Sequence, residues 1–441
     1  MEANTPRTTV SQSCLSTLID ERMLHGLVPH GNSDWSLWTL MRVALAWALG
    51  EPAELGQRFR SALTVARREG WTRIGGQTYQ GFLKALVRWT PELRQRLALH
   101  LRQTMQSLSH PAHVWGHWQV FAVDGTRISA PRTKANERAF GPRRRRPRQG
   151  RQHSRKPYLP AGPQVWLTVL WQVGLGLVWD WRHGVTGSNE REHLLKMLDD
   201  LPQRSLLVGD AGFQGFRYWS EFQRRKLAFV IRVGQNVRLI RQLGLFRQRA
   251  GIVCLWPDEA QRRCQPPVLM RLLKFQAGRH PVYVVTNVLD KQALSDRSVG
   301  ELYRQRWGVE LFLRTFKQTF GRGRLRSHAP INALVELDWS LLALWCVQTQ
   351  GAMELISQGH SPTDLSAVRA LRMVRVQLSS VEKSGHVASA DLRKQDGYRR
   401  RRKVIRRWPS QKPYEAAGRP RFRAASPLEQ FILKELRRLR G

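Results

Sequence analysis

Between residues 118 and 355 the chain spells out an order of apolar segments that restricts its fold more than any other feature does. Trp118-Gln-Val-Phe-Ala-Val-Asp-Gly-Thr reads as a buried strand ending at Asp124. Residues 165–181 read as two strands around Gly174-Leu175-Gly176. Ser188-Asn-Glu-Arg-Glu-His-Leu-Leu starts a helix with Ser188 at its N-cap. Ser205-Leu-Leu-Val-Gly-Asp is a short buried strand ending at Asp210; residues 216–226 then form a helix and Ala228-Phe-Val-Ile-Arg-Val another strand. Two long helices follow, over 298–320 and 331–355.

Three strands, a helix, a strand, a helix, a strand and a late helix match a ribonuclease H-like fold. This is an α/β architecture, a mixed sheet flanked by helices. Residues 116–233 and 291–355 are expected to form this core. Residues 234–290 break into short strand-like pieces, among them Val282-Tyr-Val-Val-Thr, and read as a β-rich insertion. Residues 1–115 read as helical, and one helix is expected to begin with Thr90 as N-cap and Pro91 in its first turn. Short helices with Arg on their outer faces suit a DNA-binding domain. Residues 356–441 are basic and loop-rich, carry Arg399-Arg-Arg-Arg-Lys-Val-Ile-Arg-Arg, and close on an amphipathic helix over 427–439.

The charge balance points the same way. The 441 residues include 73 Lys and Arg against 33 Asp and Glu, a net charge of +40. A surplus of that size repels itself when compact and implies a polyanionic partner rather than a small neutral substrate. The 17 Trp and 15 Phe argue for ordered cores. Arg143, Arg144, Arg145, Arg146, Arg148, Arg151, Arg155 and Lys156 crowd one loop, and no acidic residue stands between Arg138 and Trp179, so this loop is expected on phosphates. Four cysteines without a Cys-x-x-Cys pair give no disulfide framework. The first 24 residues lack the apolar stretch of a signal peptide, and the apolar run 166–179 is too short to span a bilayer. A cytoplasmic protein with no membrane partner is expected.

The chemistry centres on three carboxylates. Asp124 and Asp210 each end a strand and are followed by Gly125 and by Ala211-Gly212, small residues that let a metal and a phosphate come close to the backbone. In Glu301-Leu-Tyr-Arg-Gln-Arg-Trp-Gly-Val-Glu-Leu-Phe-Leu-Arg-Thr-Phe-Lys, helical spacing puts Tyr303, Arg306, Glu310, Arg314 and Lys317 on one stripe. Leu302, Val309, Phe312, Phe316 and Phe320 gather on the face that should meet the sheet. A single carboxylate thus stands among side chains that bind phosphate or stack on bases. Three carboxylates without Cys or His ligands suit Mg²⁺ or Mn²⁺. Two such ions can activate a nucleophile and stabilise the leaving oxygen of a phosphodiester.

The spacing of Tyr303, Arg306, Glu310 and Lys317, joined to Val-Asp-Gly-Thr at Asp124 and Val-Gly-Asp-Ala-Gly-Phe at Asp210, resembles the DDE transposases of insertion sequences of the insertion-sequence-four type. The resemblance covers residues 118–350, about half of the chain. It implies that Asp124, Asp210 and Glu310 hold two Mg²⁺ or Mn²⁺ ions, and that Tyr303, Arg306 and Lys317 contact DNA near the cleaved end. It further implies cleavage and joining at terminal inverted repeats, double-stranded DNA as partner, a homodimer on that DNA and no small-molecule substrate. Some members stack a Trp of the β insertion on a flipped base, and Trp256 is the only Trp there.

Other signals carry less. His110, His113 and His117 have the spacing of metal ligands but precede the first core strand. Gly321-Arg-Gly323-Arg is no nucleotide loop and reads as a DNA-contacting turn. Val-Asp-Gly-Thr also occurs in phosphohydrolases of the haloacid dehalogenase kind, which need a second Asp two residues away; Ala122 stands there. A non-enzymatic DNA-binding protein, or a decayed copy of the enzyme, is the remaining alternative.

Overall fold

A computed structural model describes residues 18–28, 35–72, 77–108, 114–141, 162–185, 187–241, 251–277, 280–379, 392–394 and 420–438. The basic loop with Arg143, Arg144, Arg145 and Arg146, the run at 399–407, His110, His113 and Cys14 lie outside these residues.

One mixed sheet of ten strands organises the molecule, in the order β10-β6-β7-β8-β9-β5-β4-β1-β2-β3. Its core half consists of β1 (Gln119–Ser129), β2 (Gln164–Gln172), β3 (Leu177–Gly184), β4 (Ser205–Gly209) and β5 (Ala228–Val233). β1, β4 and β5 run parallel, while β2 and β3 extend the sheet antiparallel from β1. This is the strand order and polarity of a ribonuclease H-like core, as the sequence order suggests. The insertion continues the same sheet. β6 (Arg238–Arg241), β7 (Ile252–Leu255), β8 (Val268–Ala277) and β9 (His280–Thr286) join through the β5–β9 pair. β10 (Arg421–Ala424) adds a parallel edge to β6.

The helices are α1 (Leu37–Leu49), α2 (Leu55–Arg68), α3 (Tyr79–Ser107), α4 (Lys134–Phe140), α5 (Glu190–Leu195), α6 (Phe216–Arg224), α7 (Asp258–Arg262), α8 (Asp296–Gln305), α9 (Trp307–Arg314), α10 (Pro330–Ser357), α11 (Ala367–Ser379) and α12 (Pro427–Arg438). Side chains cap several N-termini: Ser36 Oγ accepts from Thr39 N at 3.1 Å, Thr78 Oγ1 from Gly81 N at 3.1 Å, and Ser295 Oγ from Ser298 N at 3.0 Å. Asn189, not Ser188, caps α5 through Arg191 N at 3.0 Å.

Several sequence expectations are corrected. No new helix starts at Thr90, because α3 runs through Pro91 as one helix of 29 residues. Thr90 is buried, and its Oγ1 accepts Trp339 Nε1 of α10 at 2.8 Å instead of capping. Tertiary packing thus outweighs the helix-breaking tendency of Pro91. The region after 356, expected to be loop-rich up to its closing helix, has that helix as α12 but also contains α11, whose Ala370, Leu371 and Val374 pack on the core. The expected helix over 298–320 is broken at Arg306 and ends in a π-turn over Thr315–Thr319.

Most buried side chains form one cluster that takes in α1–α3, the core half of the sheet and α10. The described N-terminal helices therefore share the core's interior. Trp181 fixes this junction, with Nε1 donating to Asp338 Oδ1 of α10 at 2.7 Å and its ring under the Arg94 guanidinium of α3 at 4.5 Å. α10 is the one helix among the described residues long and apolar enough to cross a membrane, yet 78% of its most apolar window is buried inside the fold. A smaller cluster lies under β6, β7 and α7, with Trp256 and Ala425 in it.

Candidate active site

The parallel register sets two of the carboxylates. Ala122 of β1 pairs with Val208 of β4, so Asp124 and Asp210 each stand two residues further along neighbouring strands. Such strands lie about 4.8 Å apart. β4 ends at Gly209, but β1 continues to Ser129 against β2, so Asp124 lies inside its strand and not at its end. What ends before Asp124 is the partnership with β4, whose last pair is Ala122 with Val208, and this frees one side of β1.

The third carboxylate arrives from above. Ala122, Asp124 and Thr126 alternate onto one face of β1, and α9 covers that face. Gly308 makes this close approach possible, since a Cβ there would overlap the ring of Trp171 on β2. Two residues later, Glu310 accepts Arg306 Nη2 at 2.7 Å. Arg306 is 7% exposed, and its guanidinium lies 5.5 Å from the Tyr303 ring centre. Tyr303 Oη donates to Asp210 Oδ1 at 3.2 Å, and Arg232 Nη1 of β5 faces the same oxygen at 3.6 Å.

Lys317 comes from the π-turn. Phe320 N reaches back to Thr315 O at 2.9 Å, and Gly323 N to Lys317 O at 3.2 Å. The widened turn resets the helical phase after Arg314, and Lys317 Nζ donates to Thr126 Oγ1 at 3.1 Å. The following turn is stitched to the end of β1, with Ser129 N bonded to Gly323 O at 3.1 Å and Leu325 N to Ser129 O at 2.8 Å. Arg322, expected to contact DNA in that turn, is 3% exposed and donates to Ala48 O and Gly50 O at 2.6 and 2.8 Å. It closes the C-terminal end of α1, so within that turn Arg322 is a structural residue, while Arg324 stands exposed.

The carboxylates sense one another. Burial pushes the Asp124 carboxyl up to about 7, reinforced by Glu310 and Glu190 and opposed by Arg306 and the Gly125 N–H. Burial also raises the Glu190 carboxyl, with Asp210 adding to the effect. Tyr303 is pushed up to about 12, by burial first and then by Asp210. Asp124, Asp210, Glu310, Tyr303, Arg306 and Lys317 therefore meet at one place. Arg314 stands exposed on the same helix. Trp256 does not join them. It is 7% exposed in the smaller cluster, with Nε1 donating to Gln265 O at 2.8 Å, so in this conformation it is a core residue and not a stacking platform. His117 lies against Trp118, with ring centres 3.7 Å apart and the planes tilted by 40°, outside the site.

Sequence reasoning did not pick out Arg232 or Glu190. Neither lies in a motif: Arg232 reads as an ordinary strand residue and Glu190 as a first-turn acid of a short helix. The donor set at the site is all oxygen, as a hard divalent cation requires. Among the described residues no three His, Cys, Asp or Glu are gathered tightly enough to enclose an ion, so binding one entails drawing these carboxylates together.

A family description, the transposase DDE domain, matches residues 115–346. Transposase InsG for insertion sequence element IS4, from Escherichia coli (strain K12), is 26% identical over an alignment of 289 residues that covers 62% of this chain and 62% of that protein's length. A solved piggyBac transposase synaptic complex with hairpin DNA aligns at 13% identity and a TM-score of 0.43, covering 83% of this chain and 75% of that one. The matched residues contain both strand-borne aspartates, the insertion and the Glu310 helix, and the chain belongs to the transposase DDE domain family.

Proposed function

We propose that the chain is a DNA transposase that cleaves and joins DNA at the terminal inverted repeats of an insertion sequence. The observation that carries this reading is the convergence of Asp124, Asp210 and Glu310, from two parallel strands and one covering helix, beneath Arg306, Lys317 and Tyr303. Asp124, Asp210 and Glu310 would hold the divalent ions, Mg²⁺ or Mn²⁺ in a pair, which when bound activate the attacking oxygen and stabilise the leaving one. Arg306 is a planar donor already placed beside Glu310 and turns to a phosphate once that carboxylate is otherwise neutralised. Lys317 supplies a point charge to the neighbouring phosphate, and Tyr303 orients Asp210 through its hydroxyl.

The surplus of +40 supports double-stranded DNA as partner. A homodimer on that DNA, cut-and-paste transposition, DNA binding by residues 1–115 and phosphate contacts from Arg143, Arg144, Arg145 and Arg146 belong to the same proposal. The test is an excision assay with purified protein, Mg²⁺ and a plasmid bearing the inverted repeats that flank the gene. Release of a fragment with ends at the repeats is expected. Binding of the repeats with no strand cleavage under any divalent ion would favour a non-enzymatic DNA-binding protein.

A further inference from the structure

Glu190 is a fourth carboxylate in contact with both aspartate motifs. It opens α5, and its side chain lies across Gly125 so closely that a Cβ on that glycine would stand 2.5 Å from Glu190 Oε1 and 2.8 Å from Cγ. Its other oxygen faces Gly212, 3.6 Å from where a Cβ would be. The small residues after Asp124 and Asp210 thus admit this carboxylate, and not only an approaching phosphate. Among the described residues Glu190 makes no hydrogen bond and no ion pair, although it is half-buried. Glu310 is engaged by Arg306, and Asp210 by Tyr303 and Arg232. Among the described residues Glu190, like Asp124, is bound directly by no cation, although Arg191 and Arg127 act on it through space.

We propose that Glu190 is a further ligand of the metal site, sharing with Asp124 and Asp210 a divalent cation at the edge of β1 that β4 leaves free beyond Ala122. The inference rests on the transposase reading, but it concerns a residue outside the three carboxylates of that signature. A hard cation prefers several oxygen donors, and two strand-borne aspartates alone leave much of its shell to water. Glu190 supplies a donor from the side opposite α9, so that a cation can be held before DNA draws Arg306 away from Glu310. The competing role, a first-turn acid that only favours the positive end of α5, requires no cation.

Two measurements on the full-length protein separate these roles. The first is Mn²⁺ binding by titration calorimetry without DNA, for wild type, Glu190→Gln and Asp124→Asn, each with a metal-free melting curve. Glu190→Gln is expected to bind Mn²⁺ at least about tenfold more weakly, the loss that even a partner outside the ligand shell brings, with no loss of metal-free stability. Wild-type affinity in Glu190→Gln alongside weakened binding in Asp124→Asn removes Glu190 and leaves the site standing. Undiminished binding in both overturns the site itself. A lost melting transition in Glu190→Gln assigns Glu190 to the fold and overturns the inference. The second measurement needs no variant. Fe²⁺ with ascorbate and peroxide cuts backbone next to a bound ion, and wild-type protein should be cut near 124–125, 210–212 and 190. Cuts at the first two places without one near 190 place Glu190 outside the site.

Discussion

Asp124 illustrates how a catalytic placement opposes stability. Its carboxyl is raised by burial from 3.8 to about 7, so the folded chain holds that proton more tightly than the unfolded chain does. The sign follows: this group's contribution is most favourable below about 3.8 and declines as pH rises towards 7, where the buried charge forms. Metal-free Asp124→Asn protein should therefore melt higher than wild type at pH 8, and the gap should narrow at pH 5. Each kcal/mol corresponds to about 2–4 °C for a domain of 150–250 residues and to less for a larger core. Melting curves at the two pH values check it; equal melting at pH 8 would mean that Asp124 is not desolvated. Arg306 is the other decisive residue. Lys keeps the charge but cannot present a planar fork to two phosphate oxygens. Hydrogen bonds to charged groups are worth about 1.5–3 kcal/mol, so Arg306→Lys should slow single-turnover cleavage about tenfold or more while leaving end binding near normal. Normal cleavage with a lowered melting temperature would assign Arg306 to the helix alone.

At the scale of elements, α9 is positioned by what it lacks. Gly308 lets the helix lie on Trp171, so Gly308→Ala should lift α9 off β2 and move Glu310 away from Asp124. Overpacking of this kind costs about 1–3 kcal/mol, and cleavage should fall further than stability does. Urea unfolding and cleavage on the same protein test this; unchanged cleavage would show that Glu310 does not depend on the α9–Trp171 contact. The stripe of Tyr303, Arg306 and Glu310 was legible in the sequence because spacing on a helix survives a small break such as that at Arg306. Lys317 was read onto the same stripe and does reach the site, but through a π-turn that was not legible, since it depends on how Phe316 and Phe320 pack and these interior contacts have no local signature. The same holds for α3, where Thr90 and Pro91 carry the local marks of a helix start that α10 overrides. Glu190 was hidden for a related reason. Only the fold lays α5 across Gly125.

For the whole molecule, the strand order was readable because buried parallel strands are short continuous apolar runs. The union of N-terminal helices, sheet and α10 in one core was not readable, because it depends on long-range pairs such as Trp181 with Asp338. Charge acts at the same scale. With a net +40, end binding should weaken with salt by about 0.9 log units per log unit for each phosphate neutralised. Deleting residues 143–156, which include eight Arg or Lys, should flatten that slope. A slope unchanged by the deletion, measured by filter binding across salt, would mean that the loop does not lie on phosphates. The most direct test of the whole reading is single-turnover Mg²⁺-dependent cleavage of a terminal-repeat duplex by Asp124→Ala, Asp210→Ala and Glu310→Ala, with end binding measured alongside. Cleavage should be abolished in all three while binding persists, because the carboxylates hold the ions and the Arg and Lys residues hold the phosphates. Residual cutting in any variant at more than a few per cent of wild type would remove that carboxylate from the site and contradict the three-carboxylate assignment.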